Sequence, residues 1–405
     1  MSGHTKVSAW PGVRSRRATG RLPAMTSNQQ TLADLFRSGG IRIHDGDLLR
    51  SQPATGQRAW DRVEGMLLGL AIGDSLGNTS EGKNPDWRGS YHGEIRDYLP
   101  NRHADFRPVG VPSDDSQMAF WTLEQLLEDG AYDPARLAER FCDREIFGIG
   151  SAVREFTRRH RDERLPWHTA GTESAGNGSL MRIAPMLVPH LRQPTPALWA
   201  DTALSAMTTH NDTASVGSSV AFIAMLWELL AMPDVPKADW WADRFLTDFR
   251  DLELPSSNYT ARGGKFKDQN GRFSDLVERW LADAHARGLD TLTACNEWHS
   301  GAYLLETVPC VLYILSRHAH DPEEAMVRAV NDTRDNDTVA AIVGAAVGAL
   351  HGASKLPGRW RADLLGRTAA SDDGRVHGLI EQARRQFAVE TAGAAPAPPP
   401  VGRHE

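Results

Sequence analysis

The sequence contains few cysteines and no long apolar segment. Its three cysteines, Cys142, Cys295 and Cys310, lie far apart and form no CxxC pair. This spacing excludes a zinc site made of cysteines alone and gives no disulfide framework, so we expect the reducing environment of the cytoplasm. The most apolar run, Val339 to Leu350, is shorter than the about 20 apolar residues that a membrane-spanning helix needs. We therefore predict no membrane interaction.

Positive charge is also scarce. The formal net charge is -7, so there is no basic surplus to displace counterions from nucleic-acid phosphates, and we predict no nucleic-acid partner. The first 25 residues carry no acid, but they lack the continuous apolar core of a secretory signal. We expect residues 1–28 to be disordered, with Met25 as an alternative start of the chain. The Ala/Pro-rich residues 391–405 cannot bury a core and are expected to be disordered too.

Between these ends the apolar residues recur at spacings of three and four, which is typical of helices. Alternating strand patterns with hairpin turns are not evident. The sequence therefore predicts an all-α fold, a single multi-helix domain over residues 58–390. Residues 29–57 form an N-terminal extension, in which a short helix, a Gly39-Gly40 break, a strand-like IRIH segment and a DGD turn follow one another.

Two acidic clusters each precede a predicted helix and each combine a hydroxyl with two carboxylates. Each could simply be a capped helix start. The helix after the second cluster, however, is rich in Gly and Ala, so a neighbouring helix can approach closely and bury its acidic end, which then needs a cation. Carboxylate and hydroxyl oxygens suit Mg²⁺ or Mn²⁺. The sequence thus predicts a shared site for two divalent cations, with the ligands Ser113, Asp114, Asp115, Asp335, Asp337 and Thr338.

Three further features are candidates for chemistry. Glu81 follows the glycine-rich helix 65–77 in a polar loop, where it is available for proton transfer. The GNGSLMR segment, residues 176–182, is predicted to be a loop that enters a helix, whose amides and Arg182 could hold a phosphate. His210 stands at the start of another helix. Packing, turn formation and helix capping are the alternative roles of these features.

The order of these motifs resembles the ADP-ribosylglycohydrolases, the family that includes the dinitrogenase-reductase-activating glycohydrolase. The resemblance runs from Gly65 to Gly352 and departs from the family pattern in Ser113, where Thr is usual, and in Asn336, where Thr is frequent. It implies two Mg²⁺ or Mn²⁺ ions with Asp337 as the bridging ligand, and Glu81 or Asp115 as the catalytic carboxylate. It also implies a substrate cleft lined by Asn177, Gly178, Ser179, Met181, Arg182, His210 and Tyr303, the last from a GAYLLETV stretch.

The resemblance further implies a hydrolase that cleaves the N-glycosidic bond between ADP-ribose and a side chain of an ADP-ribosylated protein. We favour arginine as that side chain; a serine linkage or an ADP-ribose ester is the alternative. A second hypothesis is an immunity protein whose extension, residues 29–57, binds and occludes an ADP-ribosyltransferase toxin, unless that extension only covers an apolar patch. A third is a catalytically silent family member, against which the retained carboxylates argue.

Overall fold

The computed structural model describes residues 25–389 and confirms the predicted all-α fold. The helices are α1 Ser27–Ser38, α2 Trp60–Gly77, α3 Pro85–His92, α4 Asp114–Asp129, α5 Pro134–Asp143, α6 Ser151–Thr157, α7 Trp167–Ala170, α8 Ala197–Thr209, α9 Thr213–Leu229, α10 Ala238–Leu252, α11 Phe273–Arg287, α12 Thr291–Glu297, α13 Leu304–His318, α14 Pro322–Asp332, α15 Asn336–His351, α16 Gly358–Asp363 and α17 Arg375–Phe387. Two short strands, β1 Tyr259–Thr260 and β2 Asn270–Gly271, pair antiparallel. In the part of the chain that the structure describes, no helix combines the length and apolarity needed to cross a membrane.

Helices α2 and α15 form an antiparallel pair at the centre of the fold. Their backbones touch through small residues that face each other, Gly69 against Gly344 and Gly73 against Ala340. A Cβ atom on Gly69 would overlap the carbonyl oxygen of Gly344 and lie 2.6 Å from its carbonyl carbon. Because the helices are antiparallel, this contact brings the C-terminal end of α2 against the first turn of α15, where a Cβ on Gly77 would lie 2.5 Å from the Cα of Asp337.

The N-terminal segment differs from the sequence-based prediction at two points. Helix α1 begins at Ser27, with the Thr26 side chain as its cap, so the predicted disorder through residue 28 extends too far. Residues 41–43 form bends and residue 44 is irregular, so this segment is not a strand. The β pattern was misleading because Ile41 and Ile43 alternate with polar residues without any strand to pair with them. The predictions for residues 1–24 and 390–405 lie outside the described residues.

The same segment packs onto the helical core. Leu35, Ile41 and Ile43 are buried, and the backbone N–H of His44 donates to the carbonyl oxygen of Leu252 at 2.8 Å, at the end of α10. The main-chain N–H of Leu48 donates to Asp251 at 2.8 Å. The residues after α1 therefore cover apolar surface, as one of the two alternatives for this segment predicted, and the IRIHDGD stretch is not a protruding tip.

Substituting Gly69 with alanine should destabilise the protein strongly, because the new methyl group would meet the backbone of α15 and not a side chain that can move. We expect a loss of about 1–3 kcal/mol or more in the free energy of unfolding, measured by denaturant titration. The matched control is Gly89→Ala in α3, where nothing lies within 4 Å of the added Cβ. This control should gain about 0.5–1 kcal/mol, since alanine favours the helix. Equal effects in both variants would contradict the packing described here.

Candidate metal centre and substrate cleft

The first turn of α15 carries one half of an acidic cluster. Asp335 is the N-cap residue of α15; its backbone N–H donates to the Ser300 carbonyl oxygen at 3.0 Å, and its carboxylate accepts from Asn177 Nδ2 at 2.5 Å. Asp337 lies two residues further on, with its Oδ1 atom 2.8 Å from the backbone nitrogen of Thr338. Both carboxylates and the Thr338 hydroxyl are therefore at a fixed helix start, as predicted from the sequence.

The start of α4 carries the other half, and it depends on an acid that sequence reasoning missed. Ser113 caps α4 and Asp115 lies in its first turn. The buried carboxylate of Asp74, in the last turn of α2, accepts from Ser113 N at 3.0 Å, from Ser113 Oγ at 2.7 Å and from Ser116 N at 3.1 Å. Asp74 thus fixes the α4 start. Its only signal in the sequence was an acid within an otherwise apolar, glycine-rich helix.

The two halves converge. One carboxylate oxygen from each of Asp74, Asp115 and Asp337 lies within 4.8 Å of the others, and so do oxygens of Glu81, Asp335 and Asp337. Asp337 belongs to both groups, which is the geometry that a bridging ligand needs. Asp114, half-buried at the edge of α4, faces Gly148 and lies outside both groups.

These carboxylates lie so close together that their negative charges repel one another. Burial, reinforced by Asp115 and Asp335, raises the pKa of Asp337 well above its ordinary value. Burial raises the pKa of Asp335 to about 6. Partial burial together with Asp335 and Asp74 raises the pKa of Glu81 to about 7. Acids held this close are stabilised by protons or by a cation.

The donor set fits hard divalent cations. Among residues 25–389 the buried Oδ1 atom of Asp115 has no hydrogen-bond donor, so an oxygen lone pair is available inside the cluster. The remaining donors are carboxylates and the hydroxyls of Ser113 and Thr338, without sulfur or imidazole. Such oxygen ligands favour Mg²⁺ or Mn²⁺ over zinc.

Two buried side chains hold the loops that carry the cluster. Asn336 Nδ2 donates to the carbonyl oxygen of Gly77 and to Ser80 Oγ, each at 3.1 Å, which ties the loop before Glu81 to α15. Arg88, fully buried on α3, donates to the carbonyl oxygens of Asn331 and Thr333 in the turn that precedes Asp335. Glu81 is therefore presented from a supported loop and remains exposed.

The glycine-rich loop lies next to the cluster. Gly176 pairs with Tyr303 in an antiparallel bridge, and Asn177 N donates to the Ala302 carbonyl oxygen at 3.1 Å. A Cβ atom on Gly178 would lie 2.9 Å from the His210 ring, so only glycine allows this approach. Asn177 itself points to Asp335 and so orients a cluster carboxylate.

Part of the predicted phosphate site is wrong. The loop does not enter an α-helix; a 3₁₀ segment, Ala184–His190, follows it. The side chains of Ser179, Met181 and Arg182 are buried, because the turn directs them towards α8 and α9. Arg182 Nη2 donates to the Ser205 carbonyl oxygen at 2.9 Å and to Thr209 Oγ1 at 3.0 Å, so its guanidinium contacts the core and not a diphosphate.

Arg182 nevertheless acts on the cleft through His210. The Thr209 hydroxyl accepts from Arg182 and lies 2.8 Å from His210 Nδ1. The Thr209 hydroxyl can donate to Nδ1 or accept from an Nδ1–H group, so this contact holds the imidazole ring in place. Burial and the nearby Arg182 lower the pKa of His210 to about 3, so the ring is neutral. The Nε2 atom of His210 faces Gly176 and Gly178, and the residue is buried.

Tyr303 and one further acid complete this side of the cleft. The Arg262 guanidinium lies 3.9 Å above the centre of the Tyr303 ring, and the ring is almost buried at the N-cap of α13. Glu306, in the first turn of α13, was not identified from the sequence. Its burial raises its pKa to about 7, and its Oε1 atom has no hydrogen-bond partner within the described part of the chain.

Comparisons with known proteins match the chain over most of its length. The sequence model of the ADP-ribosylglycohydrolase family covers residues 55–392. An ADP-ribosylarginine hydrolase of Pseudomonas putida is 26% identical, over 77% of this chain and 76% of that protein. The ADP-ribosyl-[dinitrogen reductase] glycohydrolase of Rhodospirillum rubrum is 24% identical, over 76% of this chain and 92% of that protein. A solved structure described as an ADP-ribosylglycohydrolase-related protein complex superposes with a TM-score of 0.56 at 25% identity, covering 81% of this chain and 99% of that one.

Divalent cations should stabilise the folded protein through the acidic cluster. At a metal concentration of about 100 times the dissociation constant, we expect a gain of about 2.7 kcal/mol in the free energy of unfolding, with a corresponding rise in Tm. Asp337→Asn should remove most of this response, while the metal-free variant should be at least as stable as the metal-free wild type, since like-charge repulsion falls.

Calorimetric unfolding with Mg²⁺, with Mn²⁺ and with excess chelator measures both effects. The control is Asp283→Asn, which removes a surface carboxylate of α11 that pairs with Arg287. This variant should keep the full metal response. If neither cation changed the Tm of the wild type, the result would contradict the proposed metal centre.

Proposed function

Since the chain belongs to the ADP-ribosylglycohydrolase family, we propose that it is a divalent-metal-dependent hydrolase that cleaves the N-glycosidic bond between ADP-ribose and a modified arginine side chain of a protein. The observation that carries this proposal is that two clusters of carboxylates share Asp337. A site of this kind suits a pair of Mg²⁺ or Mn²⁺ ions at the ribose. The partner is then an ADP-ribosylated protein, and we place the reaction in the cytoplasm.

Hydrolysis at the anomeric carbon proceeds through a transition state with oxocarbenium character. Two divalent cations, when bound by the carboxylates of Asp115, Asp335 and Asp337 and the hydroxyls of Ser113 and Thr338, would orient the ribose hydroxyls and lower the pKa of a water molecule. Asp74 belongs to the same cluster, whereas Asp114 lies outside it. Glu81 is the better candidate for the proton transfer than Asp115. Glu81 lies on an exposed loop with its carboxylate at the cluster, whereas Asp115 is buried and hydrogen-bonded to Ser113.

The glycine-rich side of the cleft is the proposed binding site for the rest of ADP-ribose. There Gly176 and Gly178 provide main-chain groups, and the buried His210 ring packs against both glycines. Asn177 holds Asp335 in place between this loop and the metal centre. The pyrophosphate is therefore expected to contact main-chain amides, without a contribution from Arg182.

Arginine is the proposed linkage because a relative at 26% identity is named for ADP-ribosylarginine hydrolysis. A serine linkage or an ADP-ribose ester is the competing substrate. The packing of the N-terminal segment onto α10 gives no support to a toxin-occluding function, so that hypothesis is not carried further.

The purified protein with Mg²⁺ should release ADP-ribose from arginine-modified protein faster than from serine-modified protein. Glu81→Gln should lower kcat by about 10²–10⁴, the usual contribution of a general acid or base, with little change in the affinity for ADP-ribose. Chromatographic detection of free ADP-ribose measures the rates. The control variant, Glu139→Gln, alters an exposed acid of α5 and should have wild-type activity. Absence of ADP-ribose release from every linkage would refute the proposed function.

A further inference from the structure

A cleft with a volume of about 850 Å³ opens beside the acidic cluster, with Glu81 and Ser113 in its lining. Its inner end is formed by Asn78, Glu81 and Ser113. One outer wall is the turn 101–106, and the facing wall is the stretch 145–148. Neither Gly176, Gly178 nor His210 contributes to its lining. The glycine-rich loop therefore lies outside this cleft.

The position of Glu81 indicates which part of the substrate enters this cleft. This inference rests on the proposed function. As a general acid, Glu81 would donate its proton to the departing atom of the side chain, and it must therefore lie within hydrogen-bond reach of that atom. Because Glu81 lines the cleft, the departing side chain must reach Glu81 from there. The proposed ADP-ribose site at Gly176, Gly178 and His210 lies outside the lining of this cleft.

We propose that this cleft, with Phe106 at its rim, binds the protein side of the substrate: the polypeptide segment around the ADP-ribosylated side chain. A cleft of this volume exceeds the needs of one side chain, and it is open to solvent along the turn 101–106. Arg102 and Arg367 lie on its lining together with Glu145, so polar groups of both charges face a bound segment.

The turn 101–106, at the rim of the cleft, exposes an aromatic ring. Asp105 and Phe106 are consecutive non-glycine residues with positive φ values of 55° and 58°, a conformation that L-residues avoid. Asn101 fixes this turn, since its carbonyl oxygen accepts from Ala104 N at 3.0 Å and from Phe106 N at 2.9 Å. The Phe106 residue is 72% exposed as a result.

The same turn is attached to the catalytic loop. Asn101 Nδ2 donates to Thr79 Oγ1 at 2.9 Å, two residues before Glu81. On the far side, Arg367 Nη1 donates to the carbonyl oxygen of His103 at 2.9 Å. Phe106 is therefore held at a fixed distance from the catalytic acid. A rigid exposed aromatic residue in such a position is typical of an anchor for a protein partner.

The test compares one protein substrate with one small substrate. Phe106→Ala removes the ring and keeps an L-residue in the turn; Arg102→Ala removes a neighbouring charge. We expect KM for an arginine-ADP-ribosylated protein to rise about 5- to 30-fold in Phe106→Ala, the range of an interface hot spot. For free ADP-ribosyl-arginine, kcat/KM should stay at the wild-type value, and so should the Kd of ADP-ribose. The matched control is Tyr91→Ala, which removes a ring that is 71% exposed on α3 and outside the cleft lining.

Two results would overturn the proposal. If Phe106→Ala weakened ADP-ribose binding and small-substrate turnover in the same proportion as protein turnover, the cleft would hold ADP-ribose. If KM for the modified protein did not change, Phe106 would not contact the partner. Fluorescence anisotropy of the labelled, modified protein in the Glu81→Gln background reports binding without turnover. An enzyme that releases no ADP-ribose from any substrate, but whose binding to modified protein depends on Phe106, would refute the proposed function and keep the cleft assignment.

Discussion

The close approach of α2 and α15 determines where everything else in the site lies. Helix backbones come this near only where both faces lack side chains, and here Gly69 faces Gly344 along the contact. The antiparallel pairing then places Asp74, near the end of α2, next to Asp337, near the start of α15. Helix α4 joins them because the Asp74 carboxylate binds its N-terminal residues. A glycine contact with no chemistry of its own thus sets the geometry of the acids.

The arrangement is electrostatically unfavourable until a cation or protons enter. Burial raises the pKa of Asp115 and of Asp337, and each carboxylate raises the pKa of its neighbours further. Such a cluster lowers the stability of the metal-free fold. Surrounding contacts compensate: Asn336 and Arg88 are buried and satisfy backbone carbonyls of the loops that carry the acids. Neutral and basic side chains therefore stabilise the loops that carry the acids, while the acidic side chains lie close to one another.

Sequence patterns predicted those parts of this structure that are local. The helical periodicity, the Ser113 cap and the two acidic helix starts follow from residues that are neighbours in the chain, and the structure has all of them. Asp74 could not be recognised, since its role depends on a helix that begins 40 residues later. Arg182 was misassigned for a related reason. A glycine-rich motif indicates that a turn exists, but the direction of each side chain leaving the turn depends on the helices packed around it, here α8.

The surroundings of the acids divide into two parts. In the part that we propose for ADP-ribose, Gly176 and Gly178 contribute main-chain groups and the His210 ring packs against them. In the other part, the turn 101–106 exposes Phe106 while Asn101 and Ala104 are buried, and Asn101 donates to Thr79 in the loop before Glu81. Loop residues of this kind tolerate change without disturbing the scaffold. If the cleft binds the modified protein as proposed, substitutions in the turn should alter which protein is accepted, while the carboxylates and the α2–α15 contact that holds them stay the same.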